Sequence, residues 1–598
     1  MSNAGLNFVR SRARRAVVRA AALVLAVLTG AGPAGAADAH RRPFTRTPIK
    51  HVIVIVGENH SFDNVFATYQ PRFHQRVWNL LSKGIVGANG SPGANFTEAA
   101  QQQANDQGTY RIDPPHTGPF ATLPRPNTTY AFGEPQNVAD ARFPAALPNG
   151  PFQISKYAPY YGGFTGDPPH RFFQMWQQFD EGKNDLFVWV DVTVGIGPQN
   201  GAPTPTPGNT FQGSEAMGFF NMAAGDAPKL KFMADHYALG DNYHQAVMGG
   251  TGANFIFLGT ADEAFFSDGH GNPVTPFANQ IENPNPRAST NNFYTQDGYA
   301  GGSYVNCADS AQPGVKPIMS YLKQLSYAPF NGGNCAPNTY YLVNNYGPGF
   351  NPDGSEKSID ATHFTLPPQT LPNIGEALSK AGVSWKYYIG GWKNGHPDES
   401  WCSICNPFQF IRGVMQTALR NNIQDISDFK NDLQADHLPA VSFIRPYEGY
   451  AGHPADSNLA AYETFVADVI NSLHKRPELF DQTAVIATMD EGGGYYDSGY
   501  IEPIDFFGDG TRIPLVIVSP YVKEGFVDHT YYDHTSILKF IEANWGLAPL
   551  SGRSRDNLPN PVAVSTNPYV PVNAPAVGDL MNAFDFSHLR DDAPYILP

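Results

Sequence analysis

Short blocks of uninterrupted apolar residues punctuate long polar stretches of this chain, and those blocks predict its fold. His51-Val-Ile-Val-Ile-Val56 and Thr483-Ala-Val-Ile-Ala-Thr-Met489 are β-branched runs closed by glycine-containing turns. Apolar residues without polar alternation mark strands covered on both faces, as in a parallel sheet. Ile513–Val518 and Val383–Ile389 read the same way. Elsewhere the apolar positions recur at helical spacing. Phe465, Val466, Val469, Ile470 and Leu473 share one face of a helix predicted over Leu459–Leu473. Further helices are predicted over Arg171–Phe179, Asn373–Ala381 and Asp533–Trp545, the last with capping residues at its start and Gly546 at its end. This alternation predicts an α/β fold, a three-layer sandwich with helices on both faces of a mostly parallel central sheet.

Composition refines that picture at the ends and in the loops. Segments 88–151, 195–215 and 265–302 are rich in Gly, Pro, Asn and Gln and lack periodicity, so they read as long loop insertions. Residues 1–36 read as a signal peptide: Arg10, Arg12, Arg14, Arg15 and Arg19 precede the apolar run Ala20–Leu28, followed by Ala34-Gly35-Ala36. Arg14-Arg15 leaves a twin-arginine route open beside the general one. The remainder, 37–598, is expected to be one catalytic domain with an irregular Pro- and Asn-rich tail, located in the periplasm or secreted. Removing the five leader arginines takes the net charge from −15 to −20. So acidic a protein is a poor partner for nucleic acid or an anionic membrane. No segment predicts stable membrane insertion. Cys307, Cys335, Cys402 and Cys405 favour two disulfides in an oxidising compartment, with three possible connectivities. Cys402-Ser-Ile-Cys405 also has the spacing of a redox motif or half a zinc site, but no thioredoxin-like unit surrounds it.

Chemistry concentrates where the two clearest strands end. Glu58-Asn59 follows the first strand and Asp490-Glu491 the second. Ligands of parallel sheets gather just beyond the strands' carboxyl ends, and adjacent buried carboxylates need a compensating cation. Ser61 and Asp63 read as helix caps. A third segment, Asp241 to Asn254, carries Gly249-Gly-Thr251-Gly252 ahead of the apolar stretch Phe255–Leu258. Thr251 there is either a capping residue or a hydroxyl nucleophile, with Asn254 as an amide donor.

These segments together resemble the bacterial phosphoesterase family that contains non-haemolytic phospholipases C and related acid phosphatases. The resemblance rests on His51 to Asp63, Asp241 to Asn254, Met489 to Gly494, Arg512 to Pro520 and Asp533 to Ile537, in that order, and spans Ile49 to Leu547. It implies an alkaline-phosphatase-like fold and one divalent metal ion held by Glu58, Asn59, Asp490 and Glu491, with the Thr251 hydroxyl as further ligand and nucleophile. An all-oxygen set favours Ca²⁺, with Mg²⁺, Mn²⁺ or Zn²⁺ as alternatives. His170, before Gly182-Lys-Asn-Asp185, and His453, in Gly452-His-Pro454, match the family's histidines; His170 is expected to bind phosphate or protonate the leaving group, with His453 as the alternative acid. A third histidine found in many relatives before a Gln-Pro-Phe sequence is missing from Ile404-Cys-Asn-Pro-Phe408, leaving His396 or His534 as substitutes.

The activity so implied is hydrolysis of phosphate monoesters through a phospho-threonine, of acid-phosphatase type, because little sequence follows Leu547. Phospholipase C activity on a phosphatidylcholine-like diester is the alternative, with Tyr387, Tyr388 and Trp392 available as a choline cage. A non-catalytic protein that binds a phosphorylated ligand is the reading from another class.

Overall fold

Side chains of Val52–Val56 are 0–1% exposed, and they belong to the central strand of an eight-stranded sheet. The computed structural model describes residues 44–105, 108–193, 212–286 and 301–596. The leader 1–36 and most of the 195–215 insertion lie outside the described residues, as do positions 287–300 of the 265–302 tract. In chain order the strands are β1 (His51–Gly57), β2 (Ala238–Gly240), β3 (Trp385–Ile389), β4 (Ile423–Asp425), β5 (Val441–Arg445), β6 (Thr483–Met489), β7 (Leu515–Val518) and β8 (Phe526–Asp528). Across the sheet they run β4-β3-β5-β1-β6-β7-β2-β8. β7 is antiparallel to both neighbours, and every other pair is parallel. The sheet is therefore mixed, with five consecutive parallel strands from β4 to β6.

The helices follow the predicted periodicity closely. They include α1 (Phe62–Phe66), α2 (Phe172–Phe179), α3 (Thr251–Thr260), α4 (Ile374–Lys380), α5 (Leu459–His474) and α6 (Thr535–Trp545). Asn373 and Asn458 cap α4 and α5 by accepting from Glu376 and Ala461 backbone N–H groups. Gly546 ends α6 with φ +69°, a left-handed turn that suits glycine. α5 packs against helix Pro228–His236, whereas α3 packs against α4 and α6. The Tyr462 hydroxyl on α5 lies 2.7 Å from the Thr488 carbonyl and 3.2 Å from that of Ile55, which pins the helix to β6 and β1. The tail after α6 is irregular, yet it buries Val577, Leu580 and Ile596. The disulfides pair Cys307 with Cys335 and Cys402 with Cys405. Among the described residues no helix is long and apolar enough to cross a membrane.

Candidate metal centre and active site

Parallel pairing of β1 with β6 sets Gly57 beside Met489, so Glu58-Asn59 and Asp490-Glu491 leave adjacent strands side by side. Asn59 turns with φ +64°, which its short amide side chain tolerates. Gly493 and Gly494 let the β6 loop close on this turn. A Cβ on Gly493 would lie 2.6 Å from the Asn59 carbonyl, and one on Gly494 would lie 2.4 Å from that of Pro169. Asp490 Oδ1 accepts from the Asn59 N–H at 3.2 Å and the Glu491 N–H at 2.8 Å. Glu491 Oε2 accepts from the Gly493 N–H at 2.6 Å.

The remaining oxygens of this loop pair have no donors. Asn59 Oδ1, Asp490 Oδ2 and Glu491 Oε1 are buried without a hydrogen-bond partner. Burial, reinforced by Glu491 and Glu58, holds the Asp490 carboxyl well above the usual carboxylate range. Burial pushes Glu491 up to about 7, against the pull of His170. Three orphaned oxygens on two adjoining loops, with two carboxylates that resist ionisation, fit a hard divalent cation. Glu58 differs. Its Oε1 accepts from the buried Arg445 guanidinium at 2.6 Å, and one of its oxygens also lies within 4.8 Å of the sulfurs of Cys402 and Cys405. Both sulfurs belong to a disulfide, so that trio offers no thiolate to a metal.

The histidines converge through Asp167. Its Oδ1 accepts from Asn59 Nδ2 at 3.1 Å, and its carboxylate lies 3.9 Å from His170 Nδ1 and 3.7 Å from His453 Nε2. His170 Nδ1 lies 2.7 Å from the Pro168 carbonyl, which places the proton on Nδ1 and turns Nε2 toward Glu491 Oε1 at 3.9 Å. Burial would lower the pKa of His453, but Asp167 and Asp456 outweigh it and raise the value above 6.5.

Thr251 opens α3 and is 6% exposed. Asn254 does not point its amide outward. Its Nδ2 lies 2.9 Å from the Gly249 carbonyl and 3.2 Å from that of Val247, while Oδ1 accepts from the Val247 N–H at 3.1 Å. Gln245 continues this wiring to the carboxylate loop: Oε1 accepts from the Gly492 N–H at 2.9 Å and Nε2 donates to Val247 at 2.6 Å. The Gly252 N–H donates to Asn345 Oδ1 at 2.6 Å, which fixes the turn from the other side.

Neither substitute histidine stands as a ready acid. His534 is buried between the Ala246 N–H and the Met489 carbonyl, and burial lowers it to about 4. His396 is exposed on the turn after Lys393–Gly395. Tyr387 and Tyr388 are core residues, packed on Phe408 and Phe429 respectively, and Trp392 is 2% exposed. Ser61 caps α1 by accepting from the Asn64 N–H, as expected. Asp63 instead sits in a buried cluster with Asp497 and Arg512. Sequence reasoning did not single out Asp167, Gln245, Asn345 or Arg445. Only Asp167 left a signal, since it stands in the same Asp-Pro-Pro-His segment as His170.

Fold and site together define an α/β protein with a buried, oxygen-rich pair of loops at the carboxyl edge of its sheet. The chain belongs to the Phosphoesterase family, which matches residues 49–548. A non-hemolytic phospholipase C of Burkholderia pseudomallei is 27% identical over 305 residues, covering 42% of this chain and only 40% of that protein. Phospholipase C B of Mycobacterium tuberculosis is 22% identical over 552 residues, covering 87% of this chain and 76% of the relative. A probable acid phosphatase of Kluyveromyces lactis is 29% identical over 227 residues, covering 36% and 51%.

Proposed function

We propose that this chain is an exported, metal-dependent phosphoric ester hydrolase acting on phosphate monoesters through Thr251. The observation that carries the reading is the trio of orphaned buried oxygens on Asn59, Asp490 and Glu491. A divalent cation held by them, by Thr251 and by the Glu58 oxygen that Arg445 leaves open would polarise the phosphoryl group and favour ionisation of a hydroxyl. Thr251 Oγ1 forms the bond to phosphorus as the bond to the ester oxygen breaks. His453, whose pKa is raised by its carboxylate neighbours, gives the departing oxygen its proton. Water then adds to phosphorus, releasing phosphate and restoring the threonine. Asn254, Gln245 and Asn345 hold the Thr251 turn against the carboxylate loop, and His170 Nε2 faces the space beside Glu491. The low exposure of Glu58, Asn59 and Thr251 suits a small ester. An alkaline-phosphatase-like superfamily and export through the 1–36 leader are parts of the same proposal, and two disulfides agree with an oxidising compartment.

One observation favours the diester reading. Phe132, Tyr161 and Tyr450 are 67%, 68% and 50% exposed, and their loops meet the His453 segment. The Phe132 N–H donates to the Ala455 carbonyl and the Thr165 N–H to that of Pro454. Exposed aromatic tips near an active site suit a lipid surface. Turnover of a chromogenic phosphate monoester and of a phosphorylcholine diester, each with and without chelator, tests both readings. We expect chelator-sensitive turnover of the monoester. Tight phosphate binding without turnover of either ester would overturn the enzyme and support a binding protein.

A further inference from the structure

Outside this centre, a cluster at the end of α2 also holds buried carboxylate oxygens without donors, here beside an imidazole. α2 begins two residues after His170 and ends at Phe179, immediately before Asp180. Asp180 is fully buried, and its Oδ1 has no hydrogen-bond partner. Asp185 Oδ1 is likewise buried without one, although it lies 3.7 Å from His116 Nε2. His116 stands on the strand His116–Pro119, which pairs with Gln102–Ala104, and its Nε2 lies 2.9 Å from Asp180 Oδ2. One ligand atom from each of His116, Asp180 and Asp185 falls within 4.8 Å of the other two.

Two carboxylates face each other here, and Lys183 gives a hydrogen bond to only one of them. Lys183 Nζ lies 2.9 Å from Asp180 Oδ2, but its side chain is 50% exposed and it leaves both orphaned oxygens without a donor. An ion that accepts one imidazole nitrogen and two carboxylate oxygens would satisfy every group at once. We infer that His116, Asp180 and Asp185 form a second metal site, for a divalent ion of zinc type, that fastens the strand His116–Pro119 to the end of α2. Imidazole with carboxylates is a donor set that zinc accepts, with water completing four-coordination. The ion displaces the Lys183 ammonium into solvent and any proton shared by the carboxylates. α2 spans eight residues, so the site lies about 12 Å from the start of that helix, distinct from the centre at Asp490 and Glu491. The role is to hold the helix that follows His170.

Zinc uptake by the full chain after chelator treatment, measured by equilibrium dialysis, tests this. The wild type should bind one zinc equivalent more than His116→Ala, and Glu491→Gln should retain that equivalent. Zinc should raise the melting temperature of the wild type by more than it raises that of His116→Ala. Lys183→Ala removes the competing ammonium and should tighten this site about tenfold, a gain that no folding defect mimics. Equal zinc uptake by wild type and His116→Ala would overturn the proposal. Should His116→Ala fail to fold, an unchanged zinc affinity in Lys183→Ala would overturn it by itself.

Discussion

Two buried acidic groups in this molecule meet opposite fates, and the contrast shows how a structural cluster differs from a binding centre. In the first, Arg555 is wholly buried among Asp505, Asp509 and Asp533. Its Nε and Nη2 grip Asp505, and Nη1 reaches Asp509 at 2.7 Å. The carbonyls of Ala246 and Gly508 take its remaining donors at 2.8 Å. In the second, Asp490 and Glu491 are equally buried but receive only backbone N–H groups, so one oxygen of each has no donor. Low dielectric makes an unpaired buried charge costly. The first group carries its own arginine, although Asp533 Oδ2 still accepts no hydrogen bond, and the second fits a charge brought from outside.

Breaking the first group should cost the fold, whereas altering the second should cost function. Arg555→Met leaves Asp505, Asp509 and Asp533 without their cation, and a loss of about 3–5 kcal/mol is expected, read as a fall in the denaturation midpoint or absence of soluble protein. Glu491→Gln removes a buried charge and should keep or raise stability in chelator, while monoester turnover falls about a thousandfold. Thr251→Ala, which removes one metal ligand along with the nucleophile, should show the same fall, and wild-type turnover in that variant would end the covalent scheme. His453→Gln is expected to cost about a hundredfold. In the wild type the alkaline limb of the rate profile should lie above pH 6.5, because a raised histidine pKa keeps the acid protonated until that higher value is passed.

The carboxylates supply a stability test of the same contrast. A carboxyl whose folded pKa lies above its unfolded value binds a proton more tightly when folded. Its contribution is therefore present at low pH and is lost as pH rises, for Glu491 between 4.5 and about 7. Metal-free protein should melt several degrees lower at pH 8 than at pH 5, and added divalent metal should abolish that difference at pH 8. A flat profile in chelator would remove the argument for a cation at this site. The smallest effect is expected at the loop tips. Phe132→Ala with Tyr161→Ala should leave turnover of a soluble monoester within twofold, and only hydrolysis of vesicle-borne diester reads their loss.

How much of this was legible depended on how local each feature is. β6 matches its predicted bounds at Thr483–Met489, and α5 departs by one residue, because long apolar runs and helical spacing report burial directly. β2, β4 and β8 are three residues each, too short for any periodicity to register. The direction of β7 was equally illegible, since an antiparallel strand covered on both faces has the same composition as a parallel one. α3 was seen only as the apolar stretch Phe255–Leu258 after a glycine turn, because Gly252 and Gly259 weaken its helical signal.

The sequence by itself determined the α/β class, the strands that end in Glu58-Asn59 and Asp490-Glu491, and the glycine turn before Thr251. Each follows from residues next to one another in the chain. Tertiary structure decided what those groups face. It placed β1 beside β6 so that the two dipeptides adjoin, gave Glu58 to Arg445 across 387 residues, and joined Asn59 to Asp167 and Asp167 to the two histidines. It spent the Asn254 amide on its own turn and buried His534 between the Ala246 backbone and the end of β6. Donor and acceptor capacity is written in residue type, but which donors remain unspent is a property of the packed fold alone.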